Sequence, residues 1–244
     1  MRLTRIHLPA TLAMDSELLM TDSGANHLVR VLRLREGAAL IVFDGAGNEH
    51  RAEISRIEGQ RVHIRIGEKL ALSSESPLHI TLVQGISRGE RMDWTLQKAT
   101  ELGVTRIAPV LTSRSVVRLD DKQTLKKQEH WQAVVIGACE QSGRSVVPSV
   151  QKPSTLRQYL SSHEKSGMRF VLSPTAPTSL AGLSSLSSKV ELLIGPEGGL
   201  DDEELLMAEH AGFTPVRLGP RVLRTETASV VALSVLQALW GDLQ

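Results

Sequence analysis

A single cysteine, Cys139, stands in 244 residues, so the chain has no partner for an internal disulfide. There is no Cys pair and no closely spaced His pair, so the ligand spacing of a zinc site is missing and a metal-free protein is expected. Aromatic residues make up only 3% of the chain, which leaves Leu, Val, Ile and Ala to build any core. Neither sign of charge dominates. Residues 1–72 hold 10 Lys+Arg against 9 Asp+Glu, and residues 73–244 hold 18 against 18, so net charge gives no polyanion footprint. No apolar run approaches the roughly 18 residues that span a bilayer. The opening stretch MRLTRIHLPATLAMDSELL lacks the continuous apolar segment of a secretory signal. A cytoplasmic protein away from membranes is therefore expected. With 41% hydrophobic residues and a formal net charge of +1, general disorder is excluded.

Two patterns of organisation divide the chain. Arg2–Leu8, Ala39–Phe43, His50–Ile57 and Gln60–Ile66 alternate or are β-branched, with turn signals at Asp44-Gly45 and Glu58-Gly59. Together with a helix predicted over Asp22–Leu34, they indicate a small antiparallel barrel or sandwich. The Ser/Pro stretch 71–77 reads as a linker, giving domains of 1–72 and 73–244. Beyond it, strands predicted at 78–84, 104–111, 168–173, 190–195 and 214–219 alternate with helices at 90–102, 122–141, 154–163, 202–211 and 225–240. That alternation specifies an α/β domain with a mostly parallel sheet covered on both faces.

Three motifs bear on chemistry. Gly45-Ala-Gly47-Asn-Glu-His50 starts like a dinucleotide fingerprint, but His50 stands where the third glycine belongs and short strands flank it. Gly85-Ile-Ser87-Arg88-Gly89 matches the G-x-S-x-G nucleophile elbow between a strand and a helix. It keeps a serine hydrolase using Ser87 open, with His130, His163 or His210 as base. The strongest signal is Gly195-Pro196-Glu197-Gly198-Gly199, a turn poor in side chains after a buried strand, followed by a capping box at Asp201 and Glu204. A second Gly-Pro loop, Leu218 to Thr227, follows the next strand. There Thr225 suits a helix N-cap and Glu226 the positive helix end. Arg221 and Arg224 precede the same helix start, where a cation is electrostatically unfavourable, and so point to an anion or to carbonyl oxygens.

GPEGG followed about twenty residues later by LGPRVLRTETA resembles the C-terminal signature of SPOUT-class RNA methyltransferases. More narrowly, the chain is similar to the small-subunit ribosomal RNA uridine-N3 methyltransferase family. Asn26-His27 with Val31-Leu32-Arg33, Phe43-Asp44-Gly45, Ser87-Arg88-Gly89-Glu90, Gln97 to Gly103 and Cys139 to Arg144 match its recurrent stretches. The resemblance implies a PUA-like RNA-binding barrel at 1–72 and a SPOUT methyltransferase domain with a trefoil knot at 73–244. It implies a homodimer acting on small-subunit (16S) ribosomal RNA, free or in the assembled 30S subunit. S-adenosylmethionine would be held by Leu172, Ser173, Ile194, Gly195, Glu197, Gly199, Leu218, Leu223 and Thr225. Arg224 would stabilise charge on the uracil ring, with Glu226 as a possible base. RNA would be met by Arg30, Arg33, Arg88, Lys98, Arg114, Arg144 and Arg221. Arg30 and Arg33, three apart, would share one helical side. A non-catalytic RNA-binding protein of the same fold is the further alternative.

Overall fold

The structure is a computed structural model that describes residues 3–20, 22–71, 74–116, 120–162, 167–184 and 187–243. His163, one candidate base, lies outside the described residues. The chain divides into two compact units, Met1–Glu75 with Cys139–Val147, and Ser76–Ala138 with Pro148–Gln244. Expected boundaries at 72 and 73 leave out the segment 139–147, which joins the first unit.

In the first unit β1 (Thr4–His7), β2 (Glu17–Met20), β3 (Ala39–Phe43), β4 (Glu49–Glu58) and β5 (Arg61–Lys69) form one sheet in the order β1-β3-β4-β5-β2. Alternation decides the inner face: Val62, Ile64 and Ile66 on β5 are fully buried, while Arg61 before them and Arg65 between them are exposed. The sheet is not wholly antiparallel, because β1 pairs parallel with β3, from Thr4 against Leu40 to His7 against Phe43. The expected helix also ends early. A helical turn at Asp22–Asn26, α1, passes into a π-helical turn at His27–Val31, closed by the Leu32 N–H on His27 O at 2.9 Å. Arg33 lies beyond it in the left-handed region (φ 55°), so Arg30 and Arg33 do not share a helical side.

The segment 139–147 completes this unit through polar contacts. Glu140 accepts the His7 N–H at 3.0 Å, and Val147 N–H donates to Gly45 O at 2.9 Å. Arg144 is 3% exposed and donates through Nη2 to Glu75 at 2.6 Å. Arg5 bonds both Arg144 O and the buried Glu49.

The second unit is built on a parallel sheet: β6 (His79–Gly85), β7 (Val104–Leu111), β8 (Ser149–Val150), β9 (Ser154–Thr155), β10 (Met168–Leu172), β11 (Lys189–Ile194) and β12 (Thr214–Val216). Its order is β12-β10-β11-β6-β7-β8, with β9 beside β7, and every pairing is parallel. Val190 to Ile194 are all buried, as expected for a strand covered on both faces. Helices α2 (Glu90–Glu101), α3 (Asp121–Ser142), α4 (Leu156–Ser162) and α5 (Asp202–His210) lie between strands, and α6 (Thr225–Trp240) follows the last. From β6 the chain moves outward through β7 and β8, then returns to the other side of β6 with β10 and β11. That reversal is a switch point, and crevices at such points collect ligands at the carboxyl ends of the strands.

Candidate active site at the strand ends

Three strand ends converge on the β11 side of that point. The segments after β10, β11 and β12 enclose a cavity of about 360 Å³. Leu172, Ile194, Leu218 and Leu223 give it an apolar lining, and Gly195 to Gly199 contribute a nearly side-chain-free wall. Its size falls within the roughly 300–1,000 Å³ of small-molecule sites.

The GPEGG turn keeps its place through close packing. A Cβ on Gly85, the last residue of β6, would stand 2.4 Å from Pro196 N, so β6 ends directly against the turn. A Cβ on Gly195 would meet Gly199 C and Leu200 N at 2.9 Å. At Gly199 there is room for one, and the requirement is conformational, because φ is 70°. The expected capping box is present: Asp201 accepts the Glu204 N–H at 2.8 Å, and Glu204 accepts the Asp201 N–H at 3.1 Å. A hydrogen bond from Ser113 Oγ, together with the Glu204 N–H, holds the Asp201 carboxyl below the usual carboxylate range. Ser113 thereby ties the segment after β7 to the start of α5.

Thr225 is not the N-cap of α6; Arg224 occupies that position without a side-chain cap bond. The Thr225 hydroxyl instead donates to Gly195 O at 2.6 Å and accepts from Gln84 Nε2 at 3.0 Å. Ser229, one turn on, donates to Gln84 Oε1 at 2.8 Å. A buried polar cluster therefore fastens the end of β6, the GPEGG turn and the start of α6 together. Glu226 Oε2 is buried with no hydrogen-bond partner among the described residues.

All nine residues expected to hold the cofactor line the one cavity: Leu172, Ser173, Ile194, Gly195, Glu197, Gly199, Leu218, Leu223 and Thr225. Arg221 joins them at the rim beside Val222, which is 81% exposed. Arg114 also lines it, donating through Nη1 to Gly198 O at 3.0 Å. Arg224 is exposed and stands between lining residues without lining the cavity itself. The remaining cations divide. Arg30, Arg33 and Arg88 are exposed, whereas Lys98 is bonded to Glu101 at 2.7 Å. Arg144 is a correction: buried against Glu75, it lacks the exposure that an RNA contact needs.

Ser87 is 3% exposed, and its Oγ has no hydrogen-bond partner among the described residues. A nucleophile elbow needs a base in reach. His130 is instead bonded to Asp93 at 2.7 Å. Among the described residues no group of three or more His, Cys, Asp or Glu is placed to hold a metal ion. No helix among them is long and apolar enough to cross a membrane.

Gln84, Gly85 and Arg217 escaped the sequence reading. Gln84 precedes and Gly85 opens the Gly85–Gly89 motif that kept the elbow open, and the close approach of Gly85 to Pro196 leaves no trace in local pattern. Arg217 lines the cavity while its guanidinium holds Ala176 O at 2.7 Å.

A family model described as an RNA methyltransferase domain matches residues 74–237, and one described as an RNA methyltransferase PUA domain matches residues 21–67. The chain is 35% identical over 240 residues to ribosomal RNA small subunit methyltransferase E of Bacillus subtilis, covering 91% of this chain and 92% of the relative. It is 33% identical over 242 residues to the protein of the same name from Buchnera aphidicola, covering 99% and 98%. The crystal structure of a ribosomal RNA small subunit methyltransferase E from Neisseria gonorrhoeae, bound to S-adenosyl methionine, matches with a TM-score of 0.95. It is 40% identical and covers 100% of both chains. With two methyltransferase family models matched along its length and relatives of one name covering nearly all of it, the chain belongs to the RNA methyltransferase family that includes ribosomal RNA small subunit methyltransferase E.

Proposed function

We propose that this chain methylates N3 of a uridine in small-subunit (16S) ribosomal RNA, using S-adenosylmethionine. The observation that carries the reading is the strand-end cavity. Its apolar side chains suit an adenine ring, and its exposed peptide groups suit the ring nitrogens and the polar tail. The lining cations also fit. Arg114 and Arg217 are engaged on backbone carbonyls, and Arg221, exposed at the rim, would meet a carboxylate or a phosphate. When bound, S-adenosylmethionine supplies a methyl group made electrophilic by a sulfonium.

The chain's own residues would prepare the acceptor. Uracil N3 is a poor nucleophile while protonated, and loss of that proton moves charge onto the ring oxygens. Arg224, exposed at the start of α6, would stabilise that charge with a planar guanidinium. The unpartnered Oε2 of Glu226 would accept the proton. Arg30, Arg33 and Arg88 would meet RNA phosphates, with the first unit acting as the RNA-binding barrel. The same reading carries a knotted C-terminal segment, a homodimer and a cytoplasmic site of action on free RNA or the 30S subunit.

The test is methyl transfer from labelled S-adenosylmethionine to 16S RNA and to 30S subunits, with the product nucleoside identified by mass spectrometry. A 3-methyluridine product is expected. A methyl on another atom overturns the N3 assignment, and no transfer to either substrate favours a non-catalytic RNA-binding protein.

A further inference from the structure

The GPEGG turn is held from three directions. Thr225 bonds Gly195 O, Arg114 bonds Gly198 O, and between them Glu197 reaches out of the turn. Glu197 Oε1 accepts the Arg88 N–H at 3.0 Å and Arg91 Nη1 at 3.3 Å. Arg88 lies in the segment joining β6 to α2 and Arg91 in the first turn of α2, just after the β6 end at which Gly85 packs against Pro196. Glu197 was expected to bind the cofactor; it lines the cavity, and its Oε1 is already engaged by Arg88 and Arg91.

We propose that Glu197 is a positioning residue: its carboxylate, gripped by the Arg88 N–H and the Arg91 guanidinium, fixes the GPEGG turn in its ligand-receiving shape. This rests on the reading of the cavity as an S-adenosylmethionine site. The physical reason lies in the composition of the turn. Three glycines in five residues leave it with large backbone freedom, and an unfastened turn would have to lose that freedom on binding. An anchor removes the cost beforehand, so its effect falls on ligand affinity. The Arg91 and Glu197 side chains are 49% and 24% exposed, and ion pairs in such surroundings add little to fold stability. Affinity and stability are therefore expected to separate.

Calorimetric titration with S-adenosylmethionine, alongside steady-state methyl transfer, tests this. Glu197→Ala is expected to raise Kd and KM for the cofactor about tenfold, with kcat within about twofold and an unchanged melting temperature. Glu197→Gln keeps an oxygen for the Arg88 N–H and is expected to lose only about threefold, as is Arg91→Met. The double variant is expected to be no worse than either of these singles, because both remove one interaction. Unchanged affinity in all the variants overturns the proposal, as does a collapse of kcat at unchanged KM, which would place the carboxylate among the reacting groups. Failure of the unaltered protein to bind S-adenosylmethionine overturns the cavity assignment itself. If Glu197→Ala does not fold, Glu197→Gln and Arg91→Met carry the same comparison.

Discussion

Gly85 and Gly137 have opposite surroundings, and the difference is measurable. A Cβ at Gly85 meets the backbone of Gly195 and Pro196, which cannot move without opening the turn. Gly85→Ala is expected to destabilise by about 1–3 kcal/mol, the usual range for overpacking, and to weaken cofactor binding as well. Gly137 lies within α3 with nothing inside 4 Å of a built Cβ. Gly137→Ala is expected to stabilise by about 0.5–1 kcal/mol through helix propensity alone. Chemical denaturation of the two variants checks both signs. Arg224 belongs at the same scale. Its charge opposes the dipole of α6, and it makes no side-chain cap bond, so helix stability does not account for it. Arg224→Ala is expected to slow methyl transfer by about 10²–10³, comparable to the loss of an oxyanion-hole donor, with cofactor affinity nearly unchanged. Arg224→Lys is expected to restore part of the rate. Single-turnover kinetics with RNA and cofactor saturating decide it, and a near-normal rate for the alanine variant removes Arg224 from the chemistry.

At the scale of elements, the end of β1 carries a titration. Burial pushes the His7 imidazole below its ordinary 6.5, against the opposing pull of the Asp44 backbone and of Glu140. A histidine held neutral in the fold is protonated first in the unfolded chain, so stability is full above about pH 6.5 and declines below it. Urea midpoints at pH 7.5 and 5.5 are expected to differ less in His7→Gln than in the unaltered protein. An equal difference would mean that His7 titrates alike in both states. The elements themselves were legible in proportion to their length. Strand and helix alternation from β6 onward follows from period and from buried runs such as Val190 to Ile194. The two-residue strands β8 and β9 have no period to read, and β2 hides in a stretch where Leu18 and Leu19 are adjacent. The π-helical turn, which buries Leu28, is announced by no local pattern. The nine cofactor candidates came from the family resemblance carried by the two Gly-Pro loops, and the structure gathers them around one cavity. The Thr225 bond to Gly195 was not legible, since a threonine before a helix reads first as a cap.

Across the whole molecule, the N-terminal unit depends on a segment that its own sequence does not contain. Removing the Arg144 side chain leaves Glu75 without its guanidinium in a largely buried setting. Arg144→Ala is expected to cost about 3–5 kcal/mol, as for other buried pairs broken on one side. A charge change at exposed Arg30 is expected to leave stability within about 0.5 kcal/mol. Thermal melts separate the two, and equal effects would place Arg144 among the solvated cations. Arg144 was misjudged from sequence for an identifiable reason: a family-matching arginine in a Gly-containing loop looks the same whether it faces RNA or a buried carboxylate. Only the return of 139–147 to the first unit distinguishes them.

That return also sets a schedule. A ribosome releases the chain in order, and Val147 emerges some seventy residues after Glu75. At about 5–20 residues per second, the first unit waits roughly 4–14 seconds between its last local strand and the piece that completes it. During that interval Arg5 and Glu49 already have each other, but Arg144, which donates to Glu75, and Glu140, which accepts the His7 N–H, have not yet been made. The nascent unit is thus an unfinished body until the end of α3 and the five residues after it have been made.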